Sequence, residues 1–286
     1  MRLRIGIDSY SYHRLLGGLR PGEAEPPPSV SWGAPEVVGH ARALGVDGLS
    51  LETCFLGRRA SLDARALRDA AGPLELVFAW GHRDGLEFGA SKGALRDLLG
   101  WLELAAGVGC TLVRCVAAGP RLRGRAPVTE QIERTVRPLA AAAASARGLG
   151  LTLALENHGD LRAADLLELV GRVGDPALAV CFDTANALRV GDDPVEAAAL
   201  LAPLTRMVHL KDVEPVDRVA DLVAGPCSVP YGEGVVPVAE VLDVLLKAGF
   251  DGLACVELGQ LAAGSDELEL VERCVAWLRA YASSNG

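Results

Sequence analysis

Leu151-Thr152-Leu153-Ala154-Leu155-Glu156 and Leu178-Ala179-Val180-Cys181-Phe182-Asp183 are two short apolar runs, each ending in an acid, and residues 163–172 between them carry a helical period. A strand, a helix and a second strand within about 30 residues is the signature of a parallel βαβ unit. The same alternation extends in both directions. Strand-like runs lie at 4–10, 46–52, 74–80, 111–116, 151–156, 178–183, 206–211 and 252–257. Helical stretches lie near 35–44, 61–72, 91–107, 128–148, 163–172, 194–202, 235–248 and 266–281. Ser61, Thr129, Asp193-Pro194 and Ser265 read as helix starts, and Gly45, Gly72 and Gly249 as helix ends. Eight strict repeats predict an α/β fold, a single (β/α)8 TIM barrel occupying 1–286 as one domain. An open doubly wound sheet is the structural competitor.

Bulk properties narrow the function. Half of the 286 residues are hydrophobic, enough for a large core, and the net charge is −9. That balance lacks the basic footprint of a nucleic-acid binder. The N-terminus reaches Asp8 after only a few apolar residues, too few for a signal-peptide core. The apolar stretch 139–146 is too short to span a bilayer. A cytoplasmic location without nucleic-acid or membrane partners is expected, and self-association is left open. Seven cysteines form no CxxC pair, and Cys115, Cys181 and Cys255 fall in strand-like runs as small buried thiols. No Gly-rich phosphate loop is present, and no basic cluster is evident, Arg114 standing alone in its strand. Two irregular stretches, 16–33 with Pro26-Pro27-Pro28 and 212–234 with Gly232-Glu233-Gly234, follow strands and so belong to the C-terminal rim of a barrel, where Asp212 reads as a loop cap.

Strand parity then selects a site. In 151–156 the leucines share one face, opposite Thr152, Ala154 and Glu156. The same alternation sets Asp183 with Ala179 and Cys181, His209 with Met207 and Lys211, and Glu257 with Leu253 and Cys255. The greasier faces suit the surrounding helices, so these second faces point into the barrel. A strand-end acid often merely caps the next helix, and a lone barrel histidine is often a core residue. Four such groups at one end of four consecutive strands are better explained as ligands. Three carboxylates and an imidazole form an oxygen-rich set suited to one divalent metal ion, Mn²⁺ or Mg²⁺, with Co²⁺ or Zn²⁺ as alternatives.

The motifs Glu156-Asn157-His158-Gly159-Asp160, Phe182-Asp183-Thr184-Ala185-Asn186, Val208-His209-Leu210-Lys211-Asp212, Gly232-Glu233-Gly234 and Val256-Glu257 resemble the xylose-isomerase-like TIM-barrel superfamily, within it the sugar phosphate isomerase/epimerase group. The resemblance implies a metal quartet of Glu156, Asp183, His209 and Glu257, with Glu156 and Glu257 also the acid/base pair of its epimerases. Many members carry a histidine where this chain has Asn186. The DNA-repair branch, endonuclease IV, needs a histidine-rich three-zinc cluster, which five histidines in these positions do not supply.

These residues predict chemistry on a small carbohydrate or polyol. A divalent ion chelated by a carbonyl and its α-hydroxyl would acidify the neighbouring C–H and stabilise an enediolate. Two glutamates on opposite faces would then invert the centre. One base moving the proton between carbons gives isomerisation, and loss of a β-hydroxyl gives dehydration of an inosose- or dehydroshikimate-type ketone. His158, Lys211, Asn186, Trp80, His82 and Glu52 are candidate substrate contacts. For Trp80 the competing reading is barrel-top packing, for His158 an outer hydrogen bond, and for Lys211 neutralisation by a carboxylate.

Overall fold

A computed structural model describes residues 2–18, 31–217, 221 and 225–284. Pro26-Pro27-Pro28 lie outside the described residues. Eight parallel strands close a barrel in the order β1 (Arg4–Asp8), β2 (Gly48–Glu52), β3 (Glu75–Ala79), β4 (Leu112–Val116), β5 (Thr152–Glu156), β6 (Leu178–Asp183), β7 (Thr205–Leu210) and β10 (Leu253–Val256). β8 (Asp212–Val213) and β9 (Ser228–Val229) form a small antiparallel ribbon on the rim. Around the barrel lie α1 (Ala34–Leu44), α2 (Ala64–Ala71), α3 (Lys92–Val108), α4 (Val128–Gly148), α5 (Ala163–Val173), α6 (Thr184–Val190), α7 (Pro194–Leu201), α8 (Val238–Lys247) and α9 (Glu267–Ser284). Among the described residues no helix is long and apolar enough to cross a membrane.

Each predicted strand is present: β6 matches in full, β7 is displaced by one residue, and the other six are trimmed by one or two. β1 stops at Asp8 because that side chain accepts a hydrogen bond from the Tyr10 amide and starts a 3-10 turn. Asp193 caps α7 as expected, whereas α2 starts behind Asp63 rather than Ser61, and Asp266 rather than Ser265 receives the first amides of α9. The helix α6 escapes the period analysis, being two turns long and joined directly to β6.

The parity argument describes the barrel interior. Val77, Leu112, Ala154, Cys181, Met207, Leu253 and Cys255 form one buried cluster, separate from the larger layer between strands and helices. The interior is tight enough to demand glycine. A Cβ on Gly6 would lie 2.7 Å from Cys255 Sγ, and one on Gly48 2.5 Å from Leu253 Cδ1. One irregularity matters for the site. Pairing of β6 with β7 slips by a residue after Val180, which brings Asp183 opposite His209. Side chains alternate faces, so without that slip the aspartate and imidazole would not be cross-strand neighbours.

Candidate metal centre and catalytic cavity

Glu156, Asp183, His209 and Glu257 come from β5, β6, β7 and the residue after β10. Each contributes a ligand-type atom within 4.8 Å of the others, and all four residues are buried. Their backbones are held locally. Asn157 clamps Asp183, accepting from its amide at 2.7 Å and donating to its carbonyl at 2.8 Å. Asp183 Oδ1 caps α6 by accepting from the Asn186 amide at 2.8 Å, leaving Oδ2 to Lys211 Nζ at 3.0 Å. Thr184 Oγ1 donates to the Lys211 carbonyl and accepts from its amide, tying α6 to the end of β7.

Two observations test whether the group fits a cation. His209 Nδ1 lies 2.7 Å from Glu257 Oε2 and 3.7 Å from Glu156 Oε2. Yet both ring nitrogens and both of these oxygens lack hydrogen-bonding geometry, although all are buried. Polar atoms that face one another without hydrogen bonding, and away from water, are suited to a shared ion. The second observation is charge. Asp8, Glu52, Glu156, Asp183 and Glu257 are five buried carboxylates, and among the described residues the permanent cations that pair with them are Arg114 and Lys211. Burial pushes the carboxyls of Asp8, Glu52 and Asp183 above their ordinary range, Glu52 to about 8. For Glu257 burial acts the same way, but Lys211 and His209 outweigh it and hold the carboxyl well below its usual value. A divalent cation would offset the excess negative charge, and the donor set suits a hard ion. The residues fit.

Two residues of this site were not singled out by the sequence reading. Asp8, inward on β1, takes a 2.5 Å hydrogen bond from Ser50 Oγ and lies 3.5 Å from His209 Nε2, behind the ring. Arg114, isolated in sequence, is fully engaged in space: it pairs with Glu52 and lies 2.9 Å from Glu156 Oε2 through Nε. Small neighbours make room for it, since Ala79 and Ala154 flank it in register. Alternation in β1 and β4 was the available signal. Neither strand ended in an obvious ligand, so it went unread.

A cavity of about 200 Å³ opens above the quartet. Glu52, His82, His158, Asn186 and Lys211 line it together with Glu257. Lys211 bridges Asp183 and Glu257, each at 3.0 Å, so the neutralising reading of this lysine describes its position. Asn186 Nδ2 donates to Glu156 Oε1 at 3.1 Å. His158 is held neutral, its pKa lowered to about 3 by burial and by the charges of Arg114 and Arg189. Trp80 is a correction. It is 0 % exposed, donates from Nε1 to Asp97 Oδ2 at 2.9 Å, and stacks behind His82 at 5.0 Å. A side chain with no accessible surface offers no platform to a sugar. Asp212 is the loop cap expected of it, accepting from the amides of Gly232, Gly234 and Val236.

Known proteins share this architecture. The chain is 31% identical over 186 residues to 2-epi-5-epi-valiolone 7-phosphate 2-epimerase of Actinoplanes sp., covering 61% of this chain and 66% of that one. It is 28% identical over 193 residues to inosose dehydratase of Geobacillus kaustophilus, covering 58% and 61%. The matches span 31–66% of the length of the curated relatives. The structure of an L-ribulose 3-epimerase superposes with a TM-score of 0.75 at 19% identity, over 99% of this chain and 95% of the other, which is a likeness of fold. Residues 38–281 match the family described as xylose isomerase-like TIM barrel, and the chain belongs to that family.

Proposed function

We propose that this protein is a divalent-metal-dependent isomerase or epimerase of a sugar or sugar derivative, acting as one unit over residues 1–286. The observation that carries the reading is the buried quartet under a polar cavity, with Glu156 and Glu257 both directed at the His209 ring. The likeness to 2-epi-5-epi-valiolone 7-phosphate 2-epimerase and to inosose dehydratase supports a small sugar-like substrate. Bound at the quartet, a divalent ion would polarise a substrate carbonyl and its neighbouring hydroxyl, acidifying the C–H between them.

The protein's own residues divide the remaining work. Glu156 and Glu257 rise from opposite sides of the quartet, and each keeps a cation beside it, Arg114 Nε at 2.9 Å and Lys211 Nζ at 3.0 Å. One takes the proton from the carbon and the other returns one to the opposite face. Lys211 and His158 supply donors to substrate oxygens in the cavity, His158 as a neutral imidazole. Asn186 steadies Glu156 through Oε1. Mn²⁺ is the metal proposed first, and the oxygen-rich donors favour it or Mg²⁺ over a softer ion.

A second reading, a lyase that expels water from the same deprotonated ketone, draws on the inosose dehydratase relative. Incubating the Mn²⁺-loaded protein with ketose and keto-inositol panels in D₂O separates the two. Deuterium uptake at carbon without mass loss marks the isomerase, and a product lighter by water marks the lyase. Absence of both, with Mn²⁺ bound, would overturn either enzyme reading.

A further inference from the structure

Beneath the quartet the barrel interior turns from oxygen to sulfur. Cys181 stands two residues before Asp183 on β6, on the same inward face and one layer deeper. Its neighbour across β5 is Glu156. On the other side it faces Met207, and the slip between β6 and β7 thereby sets His209 diagonally above it. Cys255, on the next strand, pairs with His209 itself. Cys181, Met207 and Cys255 belong to one buried cluster, and each is 1 % exposed or less.

One ligand-type atom from each of Glu156, Cys181 and His209 lies within 4.8 Å of the other two, the same span that encloses the quartet. Three donors so placed can close on one ion, since tetrahedral Zn²⁺ holds sulfur, nitrogen and oxygen ligands at about 2.0–2.3 Å. A buried thiol by itself is ordinary barrel packing. What departs from packing is its company: both ring nitrogens of His209 and Glu156 Oε2 are buried without hydrogen-bonding geometry. Buried polar atoms in that condition are open to a further ligand. Asp183 and Glu257 are already held by Lys211, each at 3.0 Å, and the deeper group needs neither of them. Exchanging those two carboxylates for one thiolate turns an oxygen-rich set into a softer, mixed one.

We infer that the centre has a second, deeper metal position, made by Glu156, Cys181 and His209, which takes a thiophilic divalent ion of the Zn²⁺ type. An ion seating there displaces the thiol proton to solvent and binds the thiolate. Glu156 and His209 belong to both positions, so an ion in the lower one excludes Mn²⁺ from the quartet. Depth in the barrel thereby sorts metals. Hard ions stay at the mouth among the carboxylates, and soft ions sink onto sulfur, away from the cavity. The inference rests on the quartet being a cation site and is independent of the sugar chemistry.

Co²⁺ titrated into the reduced, metal-free protein tests this directly, because a thiolate bound to cobalt gives a charge-transfer band in the near ultraviolet. The wild type should show the band. Cys181→Ser and Cys181→Ala should both lose it, and should weaken Cd²⁺ binding about tenfold or more while leaving Mn²⁺ affinity within about threefold. Cys54→Ser should keep the band, Cys54 being the exposed thiol that lines the cavity. Asp183→Asn should weaken Mn²⁺ binding and keep the band, because that carboxylate serves the upper position alone. Added Cd²⁺ should displace bound Mn²⁺ one for one. Absence of the band from the wild type at saturating Co²⁺ overturns the inference without recourse to any variant. So does a band that survives both Cys181 variants, or one lost in Asp183→Asn, which places the ion in the quartet. Failure of Mn²⁺ to bind, with the cobalt band intact, would instead remove the quartet reading and leave the deeper position standing.

Discussion

Arg114 Nε and Glu156 Oε2 lie 2.9 Å apart on adjacent strands, both buried, and the same guanidinium also pairs with Glu52. One side chain thereby fixes two carboxylates under the cavity. Removing one partner of a buried pair leaves uncompensated charge, which typically costs about 3–5 kcal/mol. Arg114→Met should lower stability by about that amount in urea unfolding of the metal-free protein. A loss below about 1 kcal/mol would show that the contact is loose and that Glu156 is held by other groups.

Asp8 lies behind His209, 3.5 Å from Nε2, and Ser50 fixes its carboxylate. Partners that orient a ligating imidazole are commonly worth about 10–100-fold in metal affinity. Asp8→Asn should weaken Mn²⁺ binding within that range in a competition titration with a chelating dye. Asp183→Asn, which alters a quartet member itself, should weaken it more. Equal affinities for wild type and both variants would place the ion elsewhere.

Removal of metal has a thermodynamic signature that does not depend on turnover. A ligand at 100 times its dissociation constant stabilises the folded state by about 2.7 kcal/mol. EDTA should therefore lower the melting temperature of Mn²⁺-loaded protein, and returned Mn²⁺ should restore it. Glu257→Gln should flatten that response. An EDTA-insensitive melting curve for protein known to hold Mn²⁺ would contradict the proposed linkage.

His158 gives a pH prediction with a definite sign. Its folded pKa of about 3 lies below the ordinary value of about 6.5, because burial and the charges of Arg114 and Arg189 oppose protonation. The unfolded chain takes up a proton below pH ~6.5 that the folded chain refuses, so stability falls as pH drops through that window. His158→Gln should make the acid side of the stability profile shallower by about one proton. An imidazole that titrates near 6.5 by NMR would rule this out.

Inside the barrel, a Cβ on Gly6 would meet Cys255 Sγ at 2.7 Å. Overpacking of this kind costs about 1–3 kcal/mol. Gly6→Ala should destabilise by that much, and Cys255→Ala in the same molecule should recover most of it. Additive losses in the double-mutant cycle would mean that the strain lies in the backbone rather than in the contact.

How much of this was legible in the chain depends on the range of each interaction. The βα rhythm and the inward parity of Glu156, Asp183, His209 and Glu257 are local properties, set by alternation along a strand, and the amino-acid order alone determined them. What closes between distant segments required the tertiary structure. The slip that sets Asp183 opposite His209 is a feature of pairing between two strands. The burial of Trp80 behind His82 depends on where α3 presents Asp97. Arg83 and Arg189 are separated by more than a hundred residues and line the same cavity only when the barrel closes. Periodicity tells a side chain which way to face, whereas the charge it meets there is decided by strands it cannot sense along the chain.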